Sequence, residues 1–208
     1  MDPLHIRTPL LRSEPLSGFS GTSIWLKMEA LQPSGSFKIR GIGLACSERI
    51  RQGARSLVSS SGGNAGIAVA YSGDQLGVPV TVVVPATTTD TARERIRSHG
   101  AEVIVEGSSW NEAHEHALAL AGDGDAYIHP FDDPLIWRGH STLIDEIAES
   151  GLEPDVIVTS VGGAGLLCGI LEGLHRNSWE HIPVIAVETQ GADSLHQAVE
   201  SGRLVELA

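Results

Sequence analysis

The chain is short of lysine, of cysteine and of positive charge, and each shortage excludes a class of function. Its two cysteines, Cys46 and Cys168, stand far apart without metal-ligand spacing, which rules out a disulfide framework or a thiolate metal centre. As free core cysteines they imply a reducing, cytoplasmic setting. A net charge of −12 leaves no basic face for a phosphate backbone, so nucleic acid is not the partner. No apolar run approaches the roughly 20 residues that a membrane span needs, and no signal-peptide pattern opens the chain. The shortage of lysine is the most useful. Among 14 basic residues only Lys27 and Lys38 carry an amine, and the rest are arginines. What remains is 208 residues, 41% hydrophobic and 19% charged, the composition of a globular protein with one large domain or two small ones.

Hydrophobic patterning supplies the architecture. Residues 24–29 alternate imperfectly and read as a strand, and the spacing of Ile39, Ile42, Ala45 and Ile50 predicts a helix from Phe37 to near Gly53. A rhythm follows: strands at 57–60, 80–84, 102–105 and 126–129, separated by helices at 64–76, 91–100 and 109–121. Thr91 with Glu94, and Ser109 with Glu112, fit capping boxes at the last two helix starts. Strands at 156–160 and 184–187 flank a helix over about 166–175. Strands alternating with helices of this length build βαβ units and parallel sheets, whose ligands bind at the loops after the strands.

Two such loops are rich in glycine. Val161-Gly162-Gly163-Ala164-Gly165-Leu166 leaves a strand and opens a helix, the arrangement of an anion cradle in which backbone N–H groups and the helix dipole face an oxyanion. It is neither GxGxxG nor a P-loop, and an ordinary tight turn explains it equally well. Ser59-Ser60-Ser61-Gly62-Gly63-Asn64-Ala65-Gly66 offers hydroxyls, N–H groups and an amide at a second helix start, suited to a carboxylate, or merely a serine cap. Lys38 stands at a third loop-to-helix junction, where the dipole disfavours a positive charge and so favours a nucleophilic amine. Lys27, inside a strand pattern with no glycine-rich partner, reads as a solvated surface charge. The histidines carry no metal pattern: His114 and His116 are two apart on a helix and face different ways, and Trp110 and His129 read as packing residues.

The stretch Pro33-Ser34-Gly35-Ser36-Phe37-Lys38-Ile39-Arg40-Gly41 resembles the pyridoxal-phosphate (PLP) lysine motif of the serine/threonine dehydratase family, a branch of the fold-type II, tryptophan-synthase-β-like enzymes. Ser60 to Gly66, Ser160 to Gly165 and Glu188-Thr189-Gln190-Gly191-Ala192 agree in order and spacing, and Pro130-Phe131-Asp132-Asp133-Pro134 is similar to the animal-type L-serine dehydratases. The resemblance runs along essentially the whole chain. It implies an α/β fold of two open, twisted, largely parallel α/β/α domains with PLP between them. A small domain would span residues 42–136, and a large one residues 1–41 and 137–208. Lys38 would be the catalytic lysine that carries PLP, with Phe37 against the pyridine ring and Asn64 on the 3′-oxygen. Gly162, Gly163, Ala164 and Gly165 would hold the phosphate, and Ser61, Gly62, Gly63, Asn64 and Ala65 the substrate carboxylate. Glu188, with carbonyls of Gly162 and Ala192, would form part of a potassium site.

The chain departs from the family pattern in places. Ala164 replaces the third of four glycines in the phosphate loop, which is tolerable if its φ is negative and costly if positive. Family members also continue past Ala208, so the large domain is expected to be truncated, without the Ser or Cys that faces the pyridine nitrogen. The implied reaction is β-elimination: L-serine to pyruvate and ammonia, and L-threonine to 2-oxobutanoate and ammonia, by a homodimer if complete. The alternatives are another fold-type II activity such as serine racemase, or an inactive fragment.

Overall fold

The computed structural model describes residues 2–205. A short strand, β1 (Leu10–Arg12), leads into helix α1 (Glu14–Ser20) and returns as β2 (Trp25–Lys27), antiparallel to β1 with Leu11 opposite Leu26. Helix α2 (Lys38–Arg51) follows, burying Ile39, Ile42, Ala45 and Cys46 along one face. Then come β3 (Ser56–Ser59), α3 (Asn64–Leu76), β4 (Val80–Val84), α4 (Asp90–Arg97), β5 (Glu102–Val105), α5 (Trp110–Leu120) and β6 (Asp125–Tyr127). The last four strands form one parallel sheet in the order β5-β4-β3-β6. Val82, Val83 and Val84 are fully buried in it, as a strand covered on both faces requires. Val58 and Val83 of the sheet pack against Ala113 and Ala117 of α5.

The strand order positions the chemistry. From β3 the chain steps outward through β4 and β5, then returns to lay β6 on the other side of β3. The order therefore reverses between β3 and β6, and crevices beyond the carboxyl ends of strands at such a reversal are where open parallel sheets bind ligands.

The chain divides into two units, Met1–Pro130 and Phe131–Ala208. In the second, α6 (Pro134–Glu149) precedes β7 (Ile157–Ser160), α7 (Gly165–Arg176), β8 (Val184–Val187) and α8 (Ser194–Ser201), with β7 and β8 paired in parallel. Helix α7 lays Gly169 and Gly173 against α6. A Cβ on Gly169 would come 2.5 Å from the His140 Cβ, and one on Gly173 would come 2.7 Å from the Ile144 Cβ. At the end of this seam Arg176 pairs with Asp145 (2.6 Å) and donates to the Ser141 hydroxyl (2.8 Å). Among the described residues no helix is long and apolar enough to cross a membrane.

Most expected elements are present. The α4 cap is different: Thr89, not Thr91, accepts from the Ala92 N–H. The earlier start places Asp90 in the first turn, where the dipole favours a carboxylate, and frees Glu94 to pair with Arg97 at 2.7 Å. The Ser109 cap holds, but the Glu112 carboxylate reaches back to the Ser108 N–H (2.6 Å), one residue before the box position.

Candidate functional site

Lys38 is the first residue of α2, and its Nζ donates to the Pro130 carbonyl at 2.7 Å. Burial removes the water that would stabilise an ammonium, and the amine's pKa falls to about 8. It lies 5.4 Å from the centre of the Phe37 ring. In the loop before it, the Ser34 and Ser36 hydroxyls are buried with no protein hydrogen-bond partner. Buried hydroxyls are normally satisfied, so two orphans in the loop that leads to a desolvated amine suit a polar ligand.

The loop is held from behind by charges that the sequence does not reveal. Arg40, fully buried, grips Glu29 through Nε (2.7 Å) and Nη2 (2.8 Å). The Thr8 hydroxyl donates to Glu29 (2.6 Å), and Gln32 adds a bond at 3.2 Å. Burial raises the Glu29 carboxyl pKa, but the hydrogen bonds from Arg40 and Thr8 and the Arg40 charge outweigh it, leaving the group below its ordinary value. Lys27 belongs to this cluster, donating to the Thr8 carbonyl (2.6 Å) and hydroxyl (2.8 Å). It is half-buried, not a solvated surface charge, because pairing of β1 with β2 carries its stem beside Thr8.

The second loop, Ser60 to Gly63, leaves β3 and ends at Asn64, the first residue of α3. Asn64 and Gly63 are exposed, Ser61 and Gly62 half-exposed, and Ala65 buried. A Cβ on Gly62 would come 2.6 Å from the Thr88 side chain, so that position is crowded on one side. Beneath the loop the structure adds residues that the sequence reading set aside. The Tyr127 hydroxyl lies 2.7 Å from the Ser60 Oγ and 2.7 Å from the His114 Nδ1, and Trp110 Nε1 donates to the Ser60 carbonyl at 2.6 Å. Trp110 and His114 stack at 4.9 Å. Their i, i+4 spacing on an expected helix was the available signal.

In the second unit Gly162 and Gly163 are exposed, and Ala164 and Gly165 turn into α7. Added side chains at Gly163 and Gly165 would run into Phe131, its ring and its carbonyl respectively, whereas Gly162 has open space. Ala164 has φ 59°, the costly case. We expect Ala164→Gly to raise stability by about 0.5–1 kcal/mol, the αL penalty less the added freedom of the unfolded chain, read as a higher urea midpoint. A lower midpoint would mean that the methyl group makes contacts worth more than the strain. Burial, then the nearby Asp132 charge, raises the Cys168 thiol pKa, and burial pushes Cys46 up to about 12, so neither thiol is favoured as a thiolate. Glu188 receives the Leu195 (3.0 Å) and His196 (2.7 Å) N–H groups and so caps α8, with Ala192 exposed nearby in the chain. Among the described residues no group of three or more His, Cys, Asp or Glu side chains could hold a metal ion.

Residues 1–208 match the family model described as pyridoxal-phosphate dependent enzyme. The chain belongs to this family. It is 52% identical to the human L-serine dehydratase/L-threonine deaminase over 99% of its own length, and spans 64% of that protein. Among solved structures, a fungal L-serine ammonia-lyase from Rhizomucor miehei superposes with a TM-score of 0.92 at 39% identity, over 98% of this chain and 66% of that one. Maize serine racemase gives a TM-score of 0.89 at 26% identity, over 99% and 63%. The chain thus spans just under two thirds of the length of these relatives.

The helix starts fit the family's cofactor. Helices α1, α4, α5 and α6 begin under a capping side chain, from Ser13, Thr89, Ser109 and Asp133 respectively. Helix α8 has Glu188 in that place. The three that start with no side-chain cap are α2, α3 and α7, opening on Lys38, Asn64 and Gly165. The N–H groups at the starts of α3 and α7 suit a phosphate or a carboxylate, and the orphaned Ser34 and Ser36 hydroxyls, in the loop that precedes Lys38, suit a polar ligand.

Proposed function

We propose that the chain binds PLP through Lys38 and catalyses dehydration and deamination of L-serine to pyruvate and ammonia, and of L-threonine to 2-oxobutanoate and ammonia. The observation that carries this reading is the Lys38 amine, desolvated to a pKa of about 8 at an uncapped helix start in a member of the PLP-dependent family. PLP supplies an electron sink for the negative charge that develops at the substrate Cα.

The protein's residues do the rest. Lys38 Nζ, close to half unprotonated near pH 8, would anchor the cofactor and serve as the base that takes the proton from the substrate Cα. Phe37 and the Asn64 amide would line the place of the cofactor's ring and help to hold it. The N–H groups of Gly162, Gly163, Ala164 and Gly165 hold the phosphate. Ser61, Gly62, Gly63, Asn64 and Ala65 receive the substrate carboxylate at the start of α3, where the helix dipole favours an anion. Glu188, with carbonyls of Gly162 and Ala192, would attract potassium, sharing its carboxylate with the α8 N–H groups. The same reading makes residues 42–136 a small domain set within a larger one of residues 1–41 and 137–208. It places a homodimer in the cytoplasm, consistent with two cysteines that stay unpaired.

The test is the visible spectrum of the purified chain with PLP, before and after L-serine. We expect a band of cofactor held on the lysine amine, and then pyruvate. A band without pyruvate would leave a cofactor-binding protein that is not this enzyme by itself. No band would refute the assignment of Lys38.

A further inference from the structure

We infer that His114 is a positioning residue for the loop at Ser60–Asn64, acting through the Tyr127 hydroxyl on Ser60. The inference rests on the reading that this loop receives a substrate carboxylate, and it adds the device that fixes the loop's orientation.

The loop itself is poorly constrained. Gly62 and Gly63 impose little backbone preference, α3 starts without a capping side chain, and the bond that Ser61 makes within the loop, to the Gly63 N–H, is long at 3.3 Å. Its fixed end is Ser60, which is fully buried and held at two points. The Trp110 indole donates to the Ser60 carbonyl (2.6 Å), and the Tyr127 hydroxyl meets Ser60 Oγ (2.7 Å). Those two bonds determine the direction in which the backbone leaves β3.

Both depend on His114. Its Nδ1 lies 2.7 Å from the Tyr127 hydroxyl and 3.5 Å from Ser60 Oγ, and its ring stacks on Trp110 with planes 12° apart. His129 closes the group edge-on, 5.7 Å from His114 and 6.1 Å from Trp110. The location adds weight: Ser60 follows β3 and Tyr127 ends β6, the two strands between which the sheet order reverses. A phenol hydroxyl has one proton, so when it donates to His114 it must accept from Ser60, and the Ser60 rotor is set. Without an acceptor at His114 the Tyr127 hydroxyl is free to turn, and the Ser60 contact loses its direction.

The test compares Tyr127→Phe and His114→Leu with His114→Asn, whose amide can stand where Nδ1 stood. Two readouts are needed. Amide hydrogen exchange on the cofactor-free chain is expected to speed up about tenfold over residues 61–66 in the first two variants, with β3 and β6 unchanged, and to recover in His114→Asn. The PLP-loaded proteins are titrated with L-serine and with L-serinamide, which lacks the carboxylate, following cofactor absorbance. L-serine affinity should fall about tenfold in Tyr127→Phe and His114→Leu and recover in His114→Asn, while L-serinamide affinity holds. Unchanged exchange over residues 61–66 would overturn the positioning role. Equal weakening of both ligands would overturn its link to the carboxylate. If the parent chain takes up neither PLP nor L-serine, the proposed function fails, and the exchange experiment still decides the role of His114.

Discussion

A Lys38→Met protein is expected to be more stable than the parent chain and unable to hold PLP covalently. In the folded chain the amine has a pKa of about 8 against 10.5 for an ordinary lysine, so carrying the proton in the folded state costs about 3 kcal/mol. Losing the bond to the Pro130 carbonyl returns about 1 kcal/mol of that. The cofactor-free variant should therefore gain roughly 2 kcal/mol at pH 7, seen as a higher urea midpoint. The sign fixes the pH dependence. The unfolded chain holds its proton to higher pH than the folded one, so the parent's deficit is complete below pH 8 and disappears between about 8 and 10.5. The difference between variant and parent should shrink over that window. A variant less stable than the parent at pH 7 would show that the amine is not desolvated, and would remove the physical ground for its reactivity.

Arg40→Ala should do the reverse, costing about 3–5 kcal/mol, the usual effect of stripping one partner from a buried ion pair. Glu29 would be left with its charge largely out of water and without the guanidinium that balances it, although Thr8 and Gln32 still donate to it. The double variant Glu29→Gln/Arg40→Met should lose less than Arg40→Ala alone, because no charge is then stranded. Urea unfolding of the three proteins decides it, and a loss below about 1 kcal/mol in Arg40→Ala would mean that water reaches Glu29 once the guanidinium is gone. Since Arg40 lies two residues beyond Lys38 on α2, PLP uptake should weaken along with stability.

The sequence revealed the parallel sheet because its strands are runs of β-branched residues: the expected bounds of β4, β5 and β8 are those observed. Helix α6, the longest at 16 residues, was not among the expected elements. Its apolar positions Ile136, Leu143, Ile144 and Ile147 are broken up by Gly139, His140, Ser141 and Thr142, which are buried or half-buried against α7 and so hide the polar face that periodicity relies on. Helices α1 and α8 escaped for a different reason, being only 7 and 8 residues long. The motif drew attention to Lys38, whereas nothing in the sequence drew attention to the cluster behind it. Thr8, Lys27, Glu29 and Arg40 are scattered along the chain, and only the pairing of β1 with β2 gathers them. His114 and Tyr127 are 13 residues apart and meet across a helix and a strand, a distance that local patterning does not register.

The turn before α7 bears on how glycine-rich signatures are read. Gly163 and Gly165 are small because Phe131 occupies the space their side chains would need, and Gly165 begins a line that continues through Gly169 and Gly173 against α6. A side chain at either position would have to displace Phe131 whether or not a ligand is bound. Gly162, with open space around it, and residue 164, with its left-handed backbone, are under no such compulsion. Small residues at 163 and 165 are thus demanded by packing, whereas at 162 and 164 any demand for a small residue has to come from the backbone or from a ligand.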